Sequence, residues 1–308
     1  MVDIVIVNWN AGMLLKKCVE SIIYTSNKSQ ISKIIIIDNH SADNSIKDLP
    51  YDEKILTINN SENLGFAKAC NQGFKVCTAP YVLLLNPDTQ LLENTIAECI
   101  RFMDSNKQID ILGCQLLDDT GAVSPSCARF PTAFRIFIDA MGLPKIAPTL
   151  FSPAILMTEW DHLQSRYVDQ VMGAFMFMHI TVFEKLGYFD EQFFVYCEEL
   201  DFSYRLAQAG GKTFYNADIK AIHSGMGTTE NVKAFRLFLN LRSRLQYAKK
   251  HFSKMGYILV YFSTFTIEFI SRFFYLLLSG RLREIKDLVS GYVLLIKNKL
   301  PSAQSAAG

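Results

Sequence analysis

The sequence predicts an α/β protein, a mostly parallel, doubly wound sheet flanked by helices, followed by a helical C-terminal segment of a different character. Three observations carry this. Short stretches that alternate or run apolar at residues 2–7, 34–37, 55–58 and 81–85 are interleaved with stretches of helical period, as the strands of a parallel sheet between crossover helices are. Each run stops at polar groups, so acids and amides gather where strands end, the edge at which open α/β sheets bind ligands. Finally, residues 1–230 hold 18 Lys and Arg against 27 Asp and Glu, net −9, whereas residues 231–308 hold 13 against 3, net +10.

The N-terminal strand ends at Asn8-Trp9-Asn10, and Leu14, Leu15, Cys18, Val19, Ile22 and Ile23 then share one helical face. Ile34-Ile-Ile-Ile37 is closed by Asp38, and the third strand leads into Asn60-Ser-Glu-Asn63-Leu-Gly65 and a helix over about 66–76. Tyr81-Val-Leu-Leu-Leu85 halts at Asn86-Pro87-Asp88, because Pro87 cannot continue a central ladder; a carboxylate is thereby delivered at the carboxyl end of a buried strand. Taken alone, Asn-Pro-Asp is an ordinary turn. A helix over 92–105 and a strand over 109–117 follow. Five prolines punctuate residues 125–165, read as an irregular lid or substrate loop. Strand character returns over 168–178 around Gly173-Ala174, and a short helix spans 181–186. Glu198-Glu199-Leu-Asp201 opens a helix ending at Gly210-Gly211; acids in a first turn suit the helix dipole, which alone would account for them. A strand over 212–216 is last, with His223 in a flexible loop beyond it.

Residues 231–253 form a basic amphipathic helix, 257–278 an apolar helix whose two charges, Glu268 and Arg272, are spaced to pair, and 282–296 a third helix. The second has the length of a membrane span, but charges near its middle favour a helix lying in the interface or packed on its neighbours. A basic, apolar segment suits an anionic membrane surface better than nucleic acid, which is not expected as a partner; a helical subdomain or a homodimer through these helices would use the same faces. The expected domains are 1–230, 231–300 and a disordered tail at 301–308. The seven cysteines have neither CxxC pairing nor metal-ligand spacing and read as reduced core thiols. The chain starts directly in a strand, so no secretory leader is expected.

Chemically, Asp38, Asp88 and Glu198/Glu199 at strand ends of one sheet, with His223 downstream, point to a metal-assisted reaction on a diphosphate, Asp88 and His223 supplying the protein's ligands. Neither a P-loop nor a G-x-G-x-x-G follows a strand, which excludes P-loop nucleotide hydrolases and ordinary dinucleotide enzymes. No G-x-S-x-G elbow is present.

The ordered set Val5-Ile-Val-Asn-Trp-Asn10, Ile37-Asp-Asn-His-Ser-Ala-Asp-Asn-Ser45, Asn63-Leu-Gly-Phe-Ala-Lys-Ala-Cys-Asn71, Leu85-Asn-Pro-Asp88, Gly173-Ala174 and Phe189-Asp-Glu-Gln-Phe-Phe-Val-Tyr-Cys-Glu-Glu-Leu-Asp201, with Arg205 and Gly210, resembles glycosyltransferase family 2 over about residues 2–227. Within it, the set is most similar to the rhamnosyltransferase-like branch that builds bacterial surface polysaccharides such as O-antigen in lipopolysaccharide biosynthesis. The resemblance implies a GT-A (Rossmann-like) fold and an inverting transfer from a nucleotide-diphosphate sugar, dTDP-rhamnose or a UDP-sugar. It implies that Asp38 contacts base or ribose, and that Val7, Asn8, Asn10, Asn63, Gly65, Lys68 and Asn71 line the nucleotide pocket. Asn86 and Asp88 fall on the DxD-like motif, with Asp88 and His223 as ligands of Mg²⁺ or Mn²⁺. Glu199 falls where the family places its catalytic Asp, one methylene longer here, with Glu198 beside it as the other candidate base. The Q-x-x-R-W signature of processive synthases is absent, which implies one sugar per event. A polyprenyl-diphosphate-linked saccharide is the implied acceptor, and the cytoplasmic face of the bacterial inner membrane the implied location of a peripheral protein. The alternatives are a sugar nucleotidyltransferase, which would show a Gly-rich basic N-terminal loop where Asn8-Trp9-Asn10-Ala11-Gly12 stands, and a catalytically inactive membrane-bound scaffold, against which the acids at 88 and 199 speak.

Overall fold

Every residue of the first strand, β1 (Val2–Asn8), is buried, which explains its five aliphatic residues; the buried Asp3 at its start accepts from the Thr78 and Ala79 N–H groups. A computed structural model describes residues 1–225 and 233–297. The expected tail at 301–308, the first two residues of the basic helix and the end of the loop after His223 lie outside them. Helix α1 (Met13–Ile23) buries Leu15, Cys18, Val19, Ile22 and Ile23, and β2 (Ile31–Asp38) and β3 (Ile55–Asn59) add successively in parallel on one side of β1. Helix α2 (Phe66–Phe74) packs on the sheet so closely that a Cβ on Gly73 would sit 2.5 Å from Val5 Cγ1 and 2.8 Å from Ile37 Cδ1, a contact only glycine permits. β4 (Tyr81–Leu85) then pairs parallel with the other side of β1. Strands thus leave β1 in both directions, and the crevice at its carboxyl end is a topological switch point.

Next come β5 (Thr89–Leu91), α3 (Thr95–Ser105), β6 (Ile111–Leu117), and the short β7 (Val123–Ser124) and β8 (Cys127–Ala128). The region between 129 and 165 is less irregular than its prolines suggest. It contains α4 (Ala133–Ala140) and α5 (Leu143–Ile146), and Pro131 and Pro144 mark helix starts: Thr132 caps α4 by accepting from the Arg135 N–H, and Pro144 lies in the first turn of α5. After β9 (Arg166–Val168), the strand expected over 168–178 is split into β10 (Gln170–Val171) and β11 (Phe175–His179), the latter antiparallel to β4 and β6. Helices α6 (Thr181–Leu186) and α7 (Glu198–Gln208) precede β12 (Thr213–His223), which is 11 residues long. The main sheet runs β3-β2-β1-β4-β11-β6-β12-β5, mixed with most strands parallel. His223 is therefore not in a loop. It ends β12, paired with Thr89 of β5, because Lys220–Ile222 resume pairing with Gln115–Leu117 after a register shift that hides the strand's continuity in the sequence.

The chain divides into two compact units. The first comprises Met1–Ala128, Trp160–Glu191 and the chain from Glu198 through β12, and holds the sheet. The second gathers Arg129–Glu159, Gln192–Cys197 and the C-terminal helices α8 (Lys233–His251), α9 (Lys254–Ser263), α10 (Phe269–Leu278) and α11 (Leu282–Lys297). Phe238, Leu239 and Leu241 of α8 pack with Leu288, Tyr292 and Leu295 of α11. A π turn over Thr264–Glu268 joins α9 to α10, so Lys254–Leu278 is one continuous apolar helix, long enough to cross a membrane by length and composition. Glu268 is nearly fully buried and takes two arginines: Arg272 at the expected i,i+4 spacing, Nη2 to Oε1 2.8 Å, and Arg244 of α8. Glu268 and Arg244 are largely buried and Arg272 is partly exposed, while Phe262, Ile270, Phe274 and Leu278 of the same long helix are exposed.

Candidate active site

The carboxyl end of the sheet holds most of the expected residues in three hydrogen-bonded groups. The first surrounds the ends of β1 and β2. Asn8, fully buried, donates from Nδ2 to Asp38 Oδ1 at 2.8 Å and lies as close to the Ser41 and Ser45 hydroxyls, at 2.9 and 2.8 Å. Val7 pairs with Ile37 one step earlier in the ladder. Asn10 takes a positive φ of 54° and accepts from the Ala42 N–H at 2.7 Å, closing the loops after β1 and β2 on each other. Asn39 extends the network: its Nδ2 donates to Asn63 Oδ1 at 2.8 Å, and its Oδ1 accepts from the Leu64 N–H at 3.0 Å. Asn63 Oδ1 also accepts from the Gly65 N–H, and Gly65, at φ 85°, turns the chain into α2. Lys68 stands exposed on the first turn of that helix. Asn71 faces a different duty. Buried, it donates to the Phe189 carbonyl at 2.9 Å and accepts from the Phe189 N–H at 3.0 Å, binding α2 to the segment after α6.

The second group lies at the end of β4. The Asp88 carboxylate and His223 Nε2 are 3.3 Å apart, both largely buried, brought together because Ser224 N–H donates to the Asp88 carbonyl and His223 pairs with Thr89. Asn86 is partly buried, and its carbonyl accepts from the Cys18 thiol at 3.6 Å. Burial and the Asp88 charge push that thiol well above its ordinary range, so it is inert. Among the described residues no three His, Cys, Asp or Glu side chains cluster as a metal cage.

The third group is the carboxyl pair at the start of α7. Its helix rests on an aromatic bed in which Phe74 stacks on Phe183 and meets Phe189 edge-on, and Phe202 packs against Phe189. Arg205 fixes the helix further, bonding Asp201 Oδ2 at 2.8 Å and the Leu186 and Tyr188 carbonyls at 2.8 Å each. Glu198 is 2% exposed, and burial, then the neighbouring Glu199 charge, raise it far above the carboxylate range. Glu199 is less enclosed. Burial raises it too, but hydrogen bonds from its own backbone, from Glu198 and from the Gly173 backbone oppose the shift. Both carboxyls are pushed up, Glu198 the more strongly, so Glu199 is the more readily ionised of the two. The preceding Tyr196 and Cys197 both adopt φ 68°, a strained left-handed pair of about 1–3 kcal/mol each.

The turn at Gly173-Ala174 joins the second and third groups. The Ala174 carbonyl accepts from the Asn86 N–H at 3.1 Å and from Thr89 Oγ1 at 3.3 Å, while a Cβ on Gly173 would lie 3.7 Å from Glu199 Oε1. Two adjacent residues of one turn thus touch the Asp88 loop and Glu199. Gly173 stands where the sequence marks a small residue, whereas no individual role for Asn39, Ser41 and Ser45 is legible there beyond the run of small and amide residues after Asp38.

The family model for glycosyl transferase family group 2 matches residues 81–296, and that for glycosyl transferase family 2 matches residues 3–130. The chain belongs to glycosyltransferase family 2. This glycosyltransferase is 26% identical over 258 residues to the low-salt glycan biosynthesis hexosyltransferase Agl10 of Haloferax volcanii, a match covering 82% of this chain and 76% of the relative. It is 21% identical over 258 residues to the N-acetylglucosaminyl-diphospho-decaprenol L-rhamnosyltransferase of Mycobacterium tuberculosis, covering 79% and 82%. A solved mannosyltransferase from Pyrobaculum calidifontis, in complex with GDP-Man and Mn²⁺, aligns with a TM-score of 0.56 at 12% identity over 97% of this chain and 88% of that one. The glycosyltransferase fold is of GT-A type, and within the family the chain is rhamnosyltransferase-like.

The upward shift of the carboxyl pair has a thermodynamic consequence. A carboxyl raised in the folded state contributes stability that is full below its unfolded pKa and lost as pH rises through the folded one, because the unfolded chain releases the proton first. Glu198→Gln removes that penalty. The variant is expected to melt with the native glycosyltransferase near pH 4 and about 2–4 °C or more above it at pH 8. Calorimetry across this range checks it, and a gap that stays level or shrinks with pH contradicts a protonated Glu198.

Proposed function

We propose that this glycosyltransferase moves a single sugar from a nucleotide-diphosphate sugar, dTDP-rhamnose or a UDP-sugar, to a polyprenyl-diphosphate-linked saccharide, with inversion, at a membrane surface. The observation that carries the proposal is the turn at Gly173-Ala174, whose Ala174 carbonyl binds the Asp88 loop while Gly173 lies close against Glu199, so that the carboxyl pair stands beside the Asp88–His223 station. The mycobacterial relative, whose name specifies a diphospho-decaprenol acceptor and a rhamnosyl group, supports the substrate classes. The exposed apolar face of the C-terminal helices supports the membrane location.

Donor binding falls to the first group. Asp38, held through Asn8, presents carboxylate oxygen to the ribose or base, and the Asn39–Asn63–Gly65 network fixes the adjoining loop. The acceptor hydroxyl loses its proton to Glu199 as its oxygen attacks the anomeric carbon from the face opposite the diphosphate. Glu198 donates to Glu199 before the step and steadies its charge. One carboxylate acting as base, with no separate nucleophile, is what a single displacement needs.

The donor set at Asp88 and His223 fits a divalent cation: one carboxylate oxygen and one imidazole nitrogen, 3.3 Å apart, leave room for diphosphate oxygens to complete the shell. When bound, Mg²⁺ or Mn²⁺ offsets the charge on the departing diphosphate. Asp88→Asn is expected to lower transfer by about 100-fold or more and to weaken Mn²⁺ binding measured by electron paramagnetic resonance. Unchanged metal affinity would remove Asp88 from the ligand set.

The reading is tested by incubating detergent-solubilised protein and metal with a panel of nucleotide sugars and a farnesyl-diphosphate-linked N-acetylglucosamine. Addition of one sugar, lost on chelation, is expected; nucleotide-sugar synthesis from a sugar phosphate, or no turnover with any donor, sinks it.

A further inference from the structure

Within the second unit, α8, α9 and α11 enclose a groove of about 690 Å³ whose charged lining is entirely cationic: Arg242, Lys249 and Lys250, with no carboxylate among the lining residues. The three stand on one face of α8, spaced i, i+7 and i+8. Arg242 is half-buried, and its Nη1 is shielded from solvent with no hydrogen-bond partner. Burial without a counter-ion lowers its pKa. Arg244, two residues along the same helix, and Arg272 are by contrast both matched by Glu268. A half-buried guanidinium with a shielded, unbonded nitrogen carries a cost of burial that an anionic ligand would offset.

The opposite wall is aromatic. Tyr257, Tyr261 and Phe265 follow one another at i, i+4 and i+8, with ring centroids 6.0 and 4.7 Å apart, and Leu295 and Ile296 of α11 close the groove. A ligand that satisfies both walls is amphipathic, with a multiply charged anionic head and an unsaturated apolar chain. We propose that this groove docks the diphosphate of an isoprenoid lipid at Arg242, with Lys249 and Lys250 beside it and the first isoprene units along Tyr257, Tyr261 and Phe265. Three cations match a diphosphate better than the single charge of a phospholipid phosphodiester, which favours this occupant. The proposal rests on the lipid-linked acceptor read above and assigns residues to its recognition.

Full-length protein in detergent is titrated calorimetrically with farnesyl diphosphate, inorganic pyrophosphate, farnesol and dihexanoylphosphatidylglycerol. Farnesyl diphosphate is expected to bind about 10-fold or more tighter than pyrophosphate, and farnesol not to saturate. Arg242→Gln should weaken farnesyl diphosphate about 10-fold or more while melting at or above the native temperature, and Tyr261→Ala should weaken farnesyl diphosphate but not pyrophosphate. Undiminished farnesyl diphosphate binding in Arg242→Gln overturns the proposal. So does phosphatidylglycerol binding as tight as farnesyl diphosphate, which assigns the groove to a bilayer phospholipid. Sugar transfer followed on the same preparations separates the two readings: Arg242-dependent binding without any transfer to an isoprenoid-linked saccharide fells the acceptor reading and leaves the groove, whereas transfer without Arg242-dependent binding does the reverse.

Discussion

Glu199→Gln is expected to lower kcat/KM for sugar transfer by about 10²–10⁴-fold, the usual contribution of a positioned general base. The substitution keeps size and hydrogen-bonding shape, and the aromatic bed of Phe74, Phe183, Phe189 and Phe202 that carries α7 does not touch the change. Donor affinity should survive, since Asp38 and its Asn8 support lie at other strand ends. Glu198→Gln provides the contrast. Its amide can still donate to Glu199, so most activity is retained and the acid limb of the pH–rate profile stays above the ordinary carboxylate range. Steady-state kinetics on both variants check the assignment, and equal losses would mean that the base is the pair rather than Glu199.

The second large effect concerns stability. Glu268→Ala is expected to cost about 3–5 kcal/mol, because it leaves Arg244 and Arg272 without the carboxylate that both bind. Arg244 also reaches Thr264 Oγ1 at 3.0 Å inside the π turn, so the loss falls where the long apolar helix is locally widened. Replacing all three charges by apolar residues of similar volume should restore most of the loss, since it removes the desolvation cost together with the attraction. Urea denaturation followed by far-ultraviolet circular dichroism measures both variants. A loss under about 1 kcal/mol in Glu268→Ala would place the cluster in the category of surface pairs despite its burial.

The strand ends are legible in the sequence because a strand buried on both faces ends in an aliphatic run, and the first amide or acid after Val7, Ile37 or Leu85 marks its exit. The Glu268–Arg272 pair is legible for a similarly local reason, helical spacing. Features decided by tertiary pairing are not. His223 reads as a loop residue because Asn216 to Lys220 shifts register and interrupts the pattern, yet the strand resumes beside β6 and carries the histidine to Asp88. Thr89–Leu91 reads as the approach to a helix, although its three residues pair with Ala221–His223. The amide of Asn71 is engaged by the Phe189 backbone, a partner more than a hundred residues away that no local pattern indicates. Arg244 joins Glu268 from another helix, which spacing along one helix does not show.

The central claim, a single displacement with Glu199 as base, is tested most directly by the anomeric configuration of the product. With a donor labelled with ¹³C at the anomeric carbon, the one-bond carbon–hydrogen coupling of donor and product is read by nuclear magnetic resonance. Inversion at that carbon is the expected result, and retention would contradict the mechanism.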